Sequence, residues 1–430
     1  MPKTKNLIGS NFRRNVVYGY CSQGLKIVFG FAWVTIITKT AGIEVYGMIA
    51  LLVSFSGVIT NLLTFRTNEA VVKFYKRGEL EHAPGLCRLA ISAGIVIDLG
   101  VACLAWLLIQ LLATKIAATF LKAPELANEV AMYSWVIFAV FLRGTGIGLL
   151  SATEKFRTIY TLAAIEQMLK VGLVLVILQY GFALSIGVIV IIILCPTVLV
   201  TLIFLLQPLR ELFGDLKGEP ISEKEIRSYI HFSLSTFVSS ALKAGNRNID
   251  TLILGFLTSP ASVGIYSLFK QFLSPLGLMV GPFYEQIYPR FVHAMSDNDS
   301  ASMRHTISTT NLMLFKWTFV LLFAVILVAA SYWSYMGLVF SKEYMITFFL
   351  MAASSLILQR LWWSRAFALA HDPNTSIVAN IFSTILTVTM VFAGTQMFGL
   401  IGAAIGVLVS TVFINFFWQY ILRKYTNRTE

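Results

Sequence analysis

Charged side chains are scarce in this sequence. They make up 13% of its 430 residues, while 57% of the residues are apolar and the mean hydropathy is +0.77. Because an average soluble domain is about 25% charged, this composition excludes an ordinary soluble protein of this length. The sequence instead indicates a polytopic integral membrane protein.

Residues that bind metals or build disulfide frameworks are also few. Of the 4 cysteines, Cys21, Cys103 and Cys195 fall in apolar runs and Cys87 falls in a basic loop, and no two form a C-x-x-C pair. The 5 histidines show no ligand spacing. We therefore expect no disulfide, no metal site and no cofactor, and no segment predicts binding to nucleic acid.

Long apolar runs, in contrast, fill the chain. Twelve are long enough to cross about 30 Å of hydrocarbon as helices, at residues 16–37, 46–65, 89–114, 131–150, 159–180, 183–206, 229–256, 263–283, 311–333, 345–365, 375–395 and 400–422. The opposite loops hold few of the 33 lysines and arginines: Lys39, Lys115, Lys122 and Lys342. Because cytoplasmic loops carry the excess of positive charge, both termini are predicted to lie in the cytoplasm.

Within these spans, basic residues outnumber acidic ones. The acids are Asp98, Glu166 and Asp250, and the bases are Lys26, Arg143, Lys170, Lys243, Arg247, Lys270, Lys316 and Arg360. At about 2.5 to 3.5 kcal/mol per central charge, these bases would cost on the order of 20 kcal/mol if they faced lipid. We therefore expect them to face a hydrated cationic cavity that holds an anion.

One predicted span concentrates three of these charges in the stretch SSALKAGNRNIDTLILGFL (239–257). On a continuous helix, Lys243, Arg247 and Asp250 lie at i, i+4 and i+7 and share one face. One acid cannot neutralise two bases, which favours an anion site in which Asp250 holds Arg247 in place. The alternative is an internal ion pair that only joins spans.

An internal repeat relates the two halves of the chain. The stretch TKTAGIEVYGMIALL (38–52) has a counterpart in GFLTSPASVGIYSLF (255–269), with Gly47 matching Gly264 at an offset of 217 residues. The same offset relates two pairs of basic residues, Lys26 with Lys243 and Arg143 with Arg360. Six crossings return the chain to its starting side, so the two halves have the same orientation about an axis along the membrane normal.

The repeat predicts an architecture of two parallel lobes. We expect an N-terminal six-helix lobe at 1–206, a cytoplasmic linker at 207–228 and a C-terminal six-helix lobe at 229–430, arranged around a central cationic cavity. Ser222 and Glu225 form a capping box that would start the seventh span. Parallel lobes around a cavity are typical of alternating access.

The remaining charges within the spans admit more than one role. Arg143 and Arg360 lie near predicted cytoplasmic ends of spans, where they either bind the anion or extend to the interface. Glu166 and Lys170 are spaced i, i+4 in the order that favours an intrahelical pair. Asp98 is a lone acid that carries a coupling proton, binds a cation or pairs with a buried base.

The twelve spans, the cationic interior and two paired signals, G-x-x-x-Y-G before span two and P-x-x-V-G-x-Y before span eight, resemble one known family. This is the polysaccharide-transport (Wzx-type O-antigen flippase) branch of the multidrug/oligosaccharidyl-lipid/polysaccharide exporter superfamily. The resemblance implies an all-α MATE-like exporter fold. It also implies a flippase that moves an undecaprenyl-pyrophosphate-linked oligosaccharide, such as an O-antigen repeat unit, from the cytoplasmic to the periplasmic leaflet of a bacterial inner membrane.

On this interpretation, the residues that bind the pyrophosphate are Lys26, Lys243, Arg247, Arg143 and Arg360. Those that orient them or couple transport are Asp250, Asp98, Glu166 and Lys170. The partners implied are membrane lipids, a polysaccharide polymerase and a chain-length regulator, and the driving force is a proton gradient, a sodium gradient or the membrane potential.

Two rival functions have different sequence requirements. A multidrug or cation antiporter of the same fold is the alternative within transport, and it would call for an excess of acids within the spans. A membrane enzyme such as an O-antigen polymerase or ligase would need a large periplasmic loop, whereas the longest outside loop here covers only about 115–130. We therefore expect that the protein is not an enzyme.

Overall fold

The computed structural model describes residues 10–214, 216, 222–241, 248–278, 300–336, 341–364, 367 and 373–429. These residues form helices joined by short turns, and none of them forms a strand. The α-helices are α1 (Ser10–Thr40), α2 (Ile43–Leu63), α3 (Thr67–Leu80), α4 (Pro84–Ile116), α5 (Ala127–Phe141), α6 (Gly144–Ala152), α7 (Phe156–Gln179), α8 (Ile186–Phe213), α9 (Glu223–Ala241), α10 (Ile249–Leu257), α11 (Pro260–Leu278), α12 (Ser300–Met336), α13 (Lys342–Gln359) and α14 (Pro373–Thr429).

The chain divides into two compact units. The first unit comprises Met1–Gly42 and Ser56–Ala244, and the second comprises Ile43–Phe55 and Gly245–Glu430. The first therefore includes α9, and the second includes the N-terminal part of α2. The predicted lobes at 1–206 and 229–430 assign these two segments the other way, and that division stays a prediction.

Eight helical segments within the described ranges are long and apolar enough to cross a membrane, judged by length and composition. They are Tyr18–Thr40, Ile43–Leu63, Pro84–Leu121, Pro124–Ala152, Phe156–Gln179, Ile186–Phe213, His305–Met336 and Val378–Lys424. They coincide with the predicted spans one to six and nine, and the last covers spans eleven and twelve together. The predicted spans seven, eight and ten each contain residues outside the described ranges. The prediction of an all-α polytopic membrane protein is confirmed.

The last helical segment is a hairpin that contains two crossings. Phe398 and Gly399 depart from helical backbone angles inside α14, and Gly399 has a φ of 56°. Gly402 lies against the backbone of Gly394, and Gly406 lies against that of Met390. Contacts that pair residues in opposite order show that α14 reverses direction at this break. The close approach requires glycine, since a Cβ on Gly402 would lie 1.7 Å from the Gly394 carbonyl oxygen.

The helices of the first unit bury polar side chains and expose apolar ones. In α8, Leu202 and Leu206 are 56% and 65% exposed, whereas Thr197 and Thr201 are 1% and 3% exposed. This pattern suits a helix whose outer face meets lipid, because lipid chains are as apolar as leucine and leave small polar residues for helix contacts. The buried threonines point toward the polar cluster described below.

The amphipathic helix α3 lies in a segment that the sequence analysis treated as a basic loop. Phe74 of α3 packs against Leu86 and Tyr229 of the same unit, and Lys73 lies 4.0 Å from the centre of the Phe232 ring. The Tyr75 hydroxyl donates a hydrogen bond to Glu211 at 2.9 Å. Burial and the Glu211 carboxylate raise the pKa of Tyr75 above its usual value, because both disfavour a phenolate.

Helix boundaries support the 217-residue repeat. Helices α10 and α11 end and begin at Leu257 and Pro260, which is 217 residues after α1 ends and α2 begins. Helix α14 begins 217 residues after α7. Since DNA-independent chance would not align three boundaries at one offset, the two halves share a common helical plan.

The two glycines matched by the repeat lie against each other in the second unit. A Cβ on Gly47 would lie 1.8 Å from the Pro260 carbonyl oxygen and 2.8 Å from the Gly264 nitrogen. A Cβ on Gly264 would lie 2.3 Å from the Ile43 carbonyl oxygen and 3.3 Å from the Gly47 nitrogen. This reciprocal pairing is the pattern of an isologous contact, so the local two-fold axis of the repeat passes between α2 and α11.

The structure corrects one step of the sequence analysis. The face shared by Lys243, Arg247 and Asp250 assumed an unbroken helix, but Asn248 has a left-handed φ of 66° and precedes the first residue of α10. A helix cannot continue through that residue, so the i, i+4, i+7 relation does not hold across it. Lys243 and Arg247 themselves lie outside the described residues.

Candidate functional site

Arg143 lies at a break between α5 and α6, and its side chain is turned into the first unit. Nε donates to Thr201 Oγ1 at 2.8 Å, and Nη2 donates to the Thr197 carbonyl oxygen at 2.7 Å. Nη1 donates to Glu166 Oε2 at 2.7 Å. The side chain is only 14% exposed. The alternative that Arg143 extends to the interface is therefore wrong.

Glu166 of α7 gathers three donors on one carboxylate. Besides Arg143, Lys170 Nζ donates to Oε1 at 2.8 Å and Thr197 Oγ1 donates to the same oxygen at 3.0 Å. The side chains of Glu166 and Lys170 are 10% and 14% exposed. The intrahelical Glu166–Lys170 pair is thus confirmed, but it belongs to a larger network that spans three helices.

Lys26 of α1 brings a third cation to this network. Helix α1 packs against α7, where the Ser22 hydroxyl donates to the Tyr160 carbonyl oxygen at 2.9 Å. One turn further along α1, Lys26 is half-buried and interacts electrostatically with Glu166. It forms no ion pair with a residue of the described ranges.

We call Lys26, Arg143, Glu166 and Lys170 the cationic cluster. Three cations and one carboxylate leave two positive charges uncompensated within the cluster. Uncompensated charge at membrane depth is costly and marks a functional site by default. Arg143 also uses only three of its five N–H donors for the contacts described, and Lys170 uses one of three. The arrangement suits an anion with several acceptor oxygens.

Asp98 of α4 is buried apart from this cluster. It is 5% exposed, and its Oδ2 accepts hydrogen bonds from the backbone nitrogen and the hydroxyl of Thr145, each at 2.7 Å. The Thr67 hydroxyl also bonds to the carboxylate. The carboxylate thus satisfies donors at the start of α6, where negative charge is favourable. It forms no ion pair with a described base, and a role in coupling stays a prediction.

In the second unit, Asp250 is paired with Lys270. Lys270 Nζ lies 3.0 and 3.1 Å from the two carboxylate oxygens, and the Tyr266 hydroxyl donates to Oδ2 at 2.8 Å. The sequence analysis assigned Asp250 to Arg247 instead, and it counted Lys270 without giving it a partner. The helical pattern could not find this pair, because the two residues lie on different helices, α10 and α11.

We predict that Asp250→Asn lowers stability by about 1 to 3 kcal/mol, the cost of leaving a buried hydrogen-bonding group without its partner. The cost stays moderate because the Lys270 side chain is 34% exposed. The double variant Asp250→Asn with Lys270→Gln should recover most of the loss, because it leaves no unpaired charge. Thermal unfolding of the purified protein measures both effects. A double variant less stable than the single one would contradict the pairing.

Arg360 lies in a different setting from its repeat mate Arg143. It follows the last residue of α13, is exposed, and lines a cavity of about 610 Å³ together with residues of α14. Residues of the described ranges thus bring together Lys26, Arg143, Glu166 and Lys170 but place Asp98, Asp250 and Arg360 elsewhere.

Two threonines complete the cluster and were missed from the sequence. Thr197 and Thr201 are spaced i, i+4 in α8, so they share a face, and both contact Arg143. A pair of threonines at this spacing in an apolar run is the signal that could have identified them.

Comparisons with known proteins agree on family and fold. Residues 12–295 match the family described as "Polysaccharide biosynthesis protein". A multidrug resistance MATE family transporter of the MOP superfamily, in an inward-facing conformation, has a similar structure with a TM-score of 0.74 at 13% identity, over 94% of this chain and 96% of that one. The lipid II flippase MurJ, in an inward closed conformation, has a TM-score of 0.72 at 14% identity, over 96% of this chain and 90% of that one.

A third solved structure is a MOP superfamily transporter from Pyrococcus furiosus, described by the reverse polarity of its binding pocket. Its TM-score is 0.61 at 13% identity, over 100% of this chain and 99% of that one. No curated protein sequence matches the chain. At these identities the structures establish the fold alone, which is the MATE-like exporter fold.

Proposed function

Because the chain belongs to the polysaccharide biosynthesis protein family, we propose that it is a flippase for an undecaprenyl-pyrophosphate-linked oligosaccharide. It would move this lipid from the cytoplasmic to the periplasmic leaflet of a bacterial inner membrane by alternating access, with no covalent chemistry. Family and fold support the coarser statement that the protein is a membrane transporter or flippase.

The observation that carries the proposal is the cationic cluster. A pyrophosphate diester carries about two negative charges and many acceptor oxygens, which matches the two uncompensated positive charges of the cluster. Guanidinium groups bind phosphate oxygens through paired N–H donors, and lysines add point charges. Arg143, Lys170 and Lys26 supply both kinds of group around one carboxylate.

The charge of the cluster also bears on the rival transport function. A cationic drug would be repelled by two uncompensated positive charges, so a multidrug or cation antiporter is disfavoured. Pocket polarity is what the Pyrococcus furiosus relative is described by, where its reversal suggests a different function. In the present chain the polarity of the cluster is positive.

The membrane potential supplies a driving force in the proposed direction. A head group with two negative charges that moves outward across an inside-negative potential of 100 mV gains on the order of 4 to 5 kcal/mol. The proposal therefore needs neither a proton nor a sodium gradient, and it requires no cofactor. A polysaccharide polymerase and a chain-length regulator would act on the product, and both termini would lie in the cytoplasm.

The test is binding of undecaprenyl diphosphate to the purified protein in detergent, followed by native mass spectrometry. We predict that Lys26→Gln weakens binding about 10-fold to 100-fold, since a hydrogen bond to a charged group contributes about 1.5 to 3 kcal/mol. Stability should change little, because Lys26 forms no ion pair with the described residues. In vesicles, the same variant should slow the flipping of a short fluorescent lipid-linked saccharide.

The matched control is Lys39→Gln, which removes an exposed lysine at the end of the same helix. It should leave binding and flipping unchanged. Equal binding by the Lys26→Gln and Lys39→Gln variants would refute the anion site. Strong binding of a cationic dye, with no binding of undecaprenyl diphosphate, would favour the antiporter instead.

A further inference from the structure

The cavity beside Arg360 in the second unit is separate from the cationic cluster and has its own chemistry. Its volume is about 610 Å³, and its lining includes Arg360, Arg423, Asn415 and Gln419. No acidic residue lines it among the described residues. Two guanidinium groups and two amides in one cavity favour an anion with several oxygen acceptors.

The lining residues of α14 follow one face of the helix and change in character along it. Val412, Asn415, Phe416, Gln419, Tyr420 and Arg423 recur at three-residue and four-residue spacing. The face begins with an apolar residue, continues with amides and aromatic rings and ends with a cation. Arg423 is the last residue but one of the apolar segment Val378–Lys424, so the cationic end lies where a membrane span meets the head-group layer.

The surface around the cavity is apolar and exposed. Phe416 and Tyr420 are 69% and 65% exposed, and Leu358 beside Arg360 is 58% exposed. On a membrane protein, large exposed apolar side chains on a spanning helix face lipid chains, and aromatic rings gather at the interface. The cavity is therefore open toward lipid along its aromatic side.

A buried donor within the cavity lacks a partner. Asn415 Nδ2 is inaccessible to solvent and makes no hydrogen bond with the described residues. Buried amide donors are normally satisfied, so this group adds a second indication that the cavity accommodates a ligand with acceptor oxygens.

The repeat explains why this half of the chain keeps its charge. Arg143 is neutralised by Glu166 of α7, and the residue 217 positions after Glu166 is Ser383. The position that supplies the carboxylate in the first unit thus supplies a hydroxyl in the second. Arg360 forms no ion pair with a described residue, which leaves its guanidinium able to bind an external anion.

We propose that this cavity binds the phosphate group of an anionic phospholipid of the surrounding membrane. Arg360 and Arg423 hold the phosphate, Asn415 and Gln419 donate to its oxygens or to the glycerol, and an acyl chain lies along Phe416 toward Val412. Basic pockets between spanning helices are known to bind anionic head groups in this way. The inference goes beyond the proposed flippase activity and does not depend on it.

Native mass spectrometry of the purified protein tests the proposal, with phosphatidylglycerol as the anionic probe and phosphatidylcholine as the zwitterionic one. We expect retention of phosphatidylglycerol over phosphatidylcholine by the unaltered protein. The double variant Arg360→Gln with Arg423→Gln should lose on the order of tenfold in affinity for phosphatidylglycerol. Arg360→Lys should lose less, because lysine keeps the charge but not the paired donors.

The matched control is Arg227→Gln, which removes an exposed arginine of α9 in the first unit. It should bind phosphatidylglycerol like the unaltered protein. Both cavity arginines are exposed, so elution and melting temperature should confirm an intact fold. Unchanged phosphatidylglycerol binding by the double variant would overturn the proposal. So would a loss of undecaprenyl diphosphate binding alone, which would assign the cavity to the substrate instead.

Discussion

Glu166→Gln is expected to destabilise the protein by about 3 to 5 kcal/mol, the usual cost of removing one partner from a buried ion pair. The carboxylate accepts from Arg143 at 2.7 Å, from Lys170 at 2.8 Å and from Thr197 at 3.0 Å. A neutral amide leaves both cations uncompensated while they are only 14% exposed. Thermal unfolding in detergent should show a large fall in melting temperature and a low yield of folded protein.

The control for this prediction is Glu69→Gln on the surface of the first unit. Glu69 pairs with Arg66 at 2.7 Å, but its side chain is 47% exposed. Exposed pairs contribute about 0 to 1 kcal/mol, so this variant should melt close to the unaltered protein. If the two variants melt alike, the cluster is solvated and the argument from burial fails.

Ligand dependence separates a structural from a functional role for Glu166. If the carboxylate competes with a bound phosphate for Arg143 and Lys170, its removal should strengthen the binding of undecaprenyl diphosphate. The ligand should therefore raise the melting temperature of the Glu166→Gln variant more than that of the unaltered protein. An equal or smaller rise would indicate that the network is structural and that the anion binds elsewhere.

The sequence predicted the spans well because apolar runs carry that information locally. A span needs about 20 apolar residues whatever its neighbours are, so α1, α4 and α7 are visible from composition alone. Helix α3 was missed because it is short, and its charged residues resemble those of a loop. Its apolar residues Val71 and Phe74 are buried against other helices, which only tertiary packing reveals.

The cationic cluster was predicted in its members but not in its connections. The Glu166–Lys170 pair follows from helical spacing, whereas Arg143 reaches Glu166 across 23 residues and Thr201 across 58. These contacts depend on the break after α5, which turns Arg143 inward. The sequence analysis instead drew a single span over 131–150, in which Arg143 would end near the interface.

The opposite error occurred at residues 243–250. There the sequence analysis relied on spacing along one continuous helix, and the left-handed Asn248 interrupts that helix. Asparagine tolerates this conformation better than most residues, so the stretch GNRN (245–248) carried a signal for a break. Asp250 consequently faces Lys270 of the next helix rather than following Arg247 along one face.

The repeat proved the most informative pattern, since a single offset relates helix boundaries, arginines and glycines. It also marks where the two copies diverged. Arg143 kept an acid partner in Glu166, while Arg360 gained a cavity with Arg423. Conserved geometry with altered charge is what one expects where one plan has acquired two binding functions.

Gly47→Ala is expected to separate α2 from α11 and to reduce flipping at least about tenfold. The added Cβ would lie 1.8 Å from the Pro260 carbonyl oxygen, and a backbone atom cannot rotate away as a side chain would. Overpacking of this kind costs about 1 to 3 kcal/mol, which shifts an equilibrium between two conformations by roughly 5-fold to 150-fold. Gly264→Ala should act in the same way, because its Cβ would lie 2.3 Å from the Ile43 carbonyl oxygen.

Spin labels at Glu44→Cys and Ser259→Cys, in a background without the native cysteines, measure this separation, since both positions are exposed near the starts of the two helices. The distance between the labels should grow by about 2 Å or more, because ordinary carbon contacts require about 3.5 to 4.0 Å. The control is Gly277→Ala in α11, where a Cβ would meet nothing within 4 Å. That variant should keep the original distance and flipping rate. If Gly47→Ala keeps both as well, the contact between α2 and α11 is not part of the transport cycle.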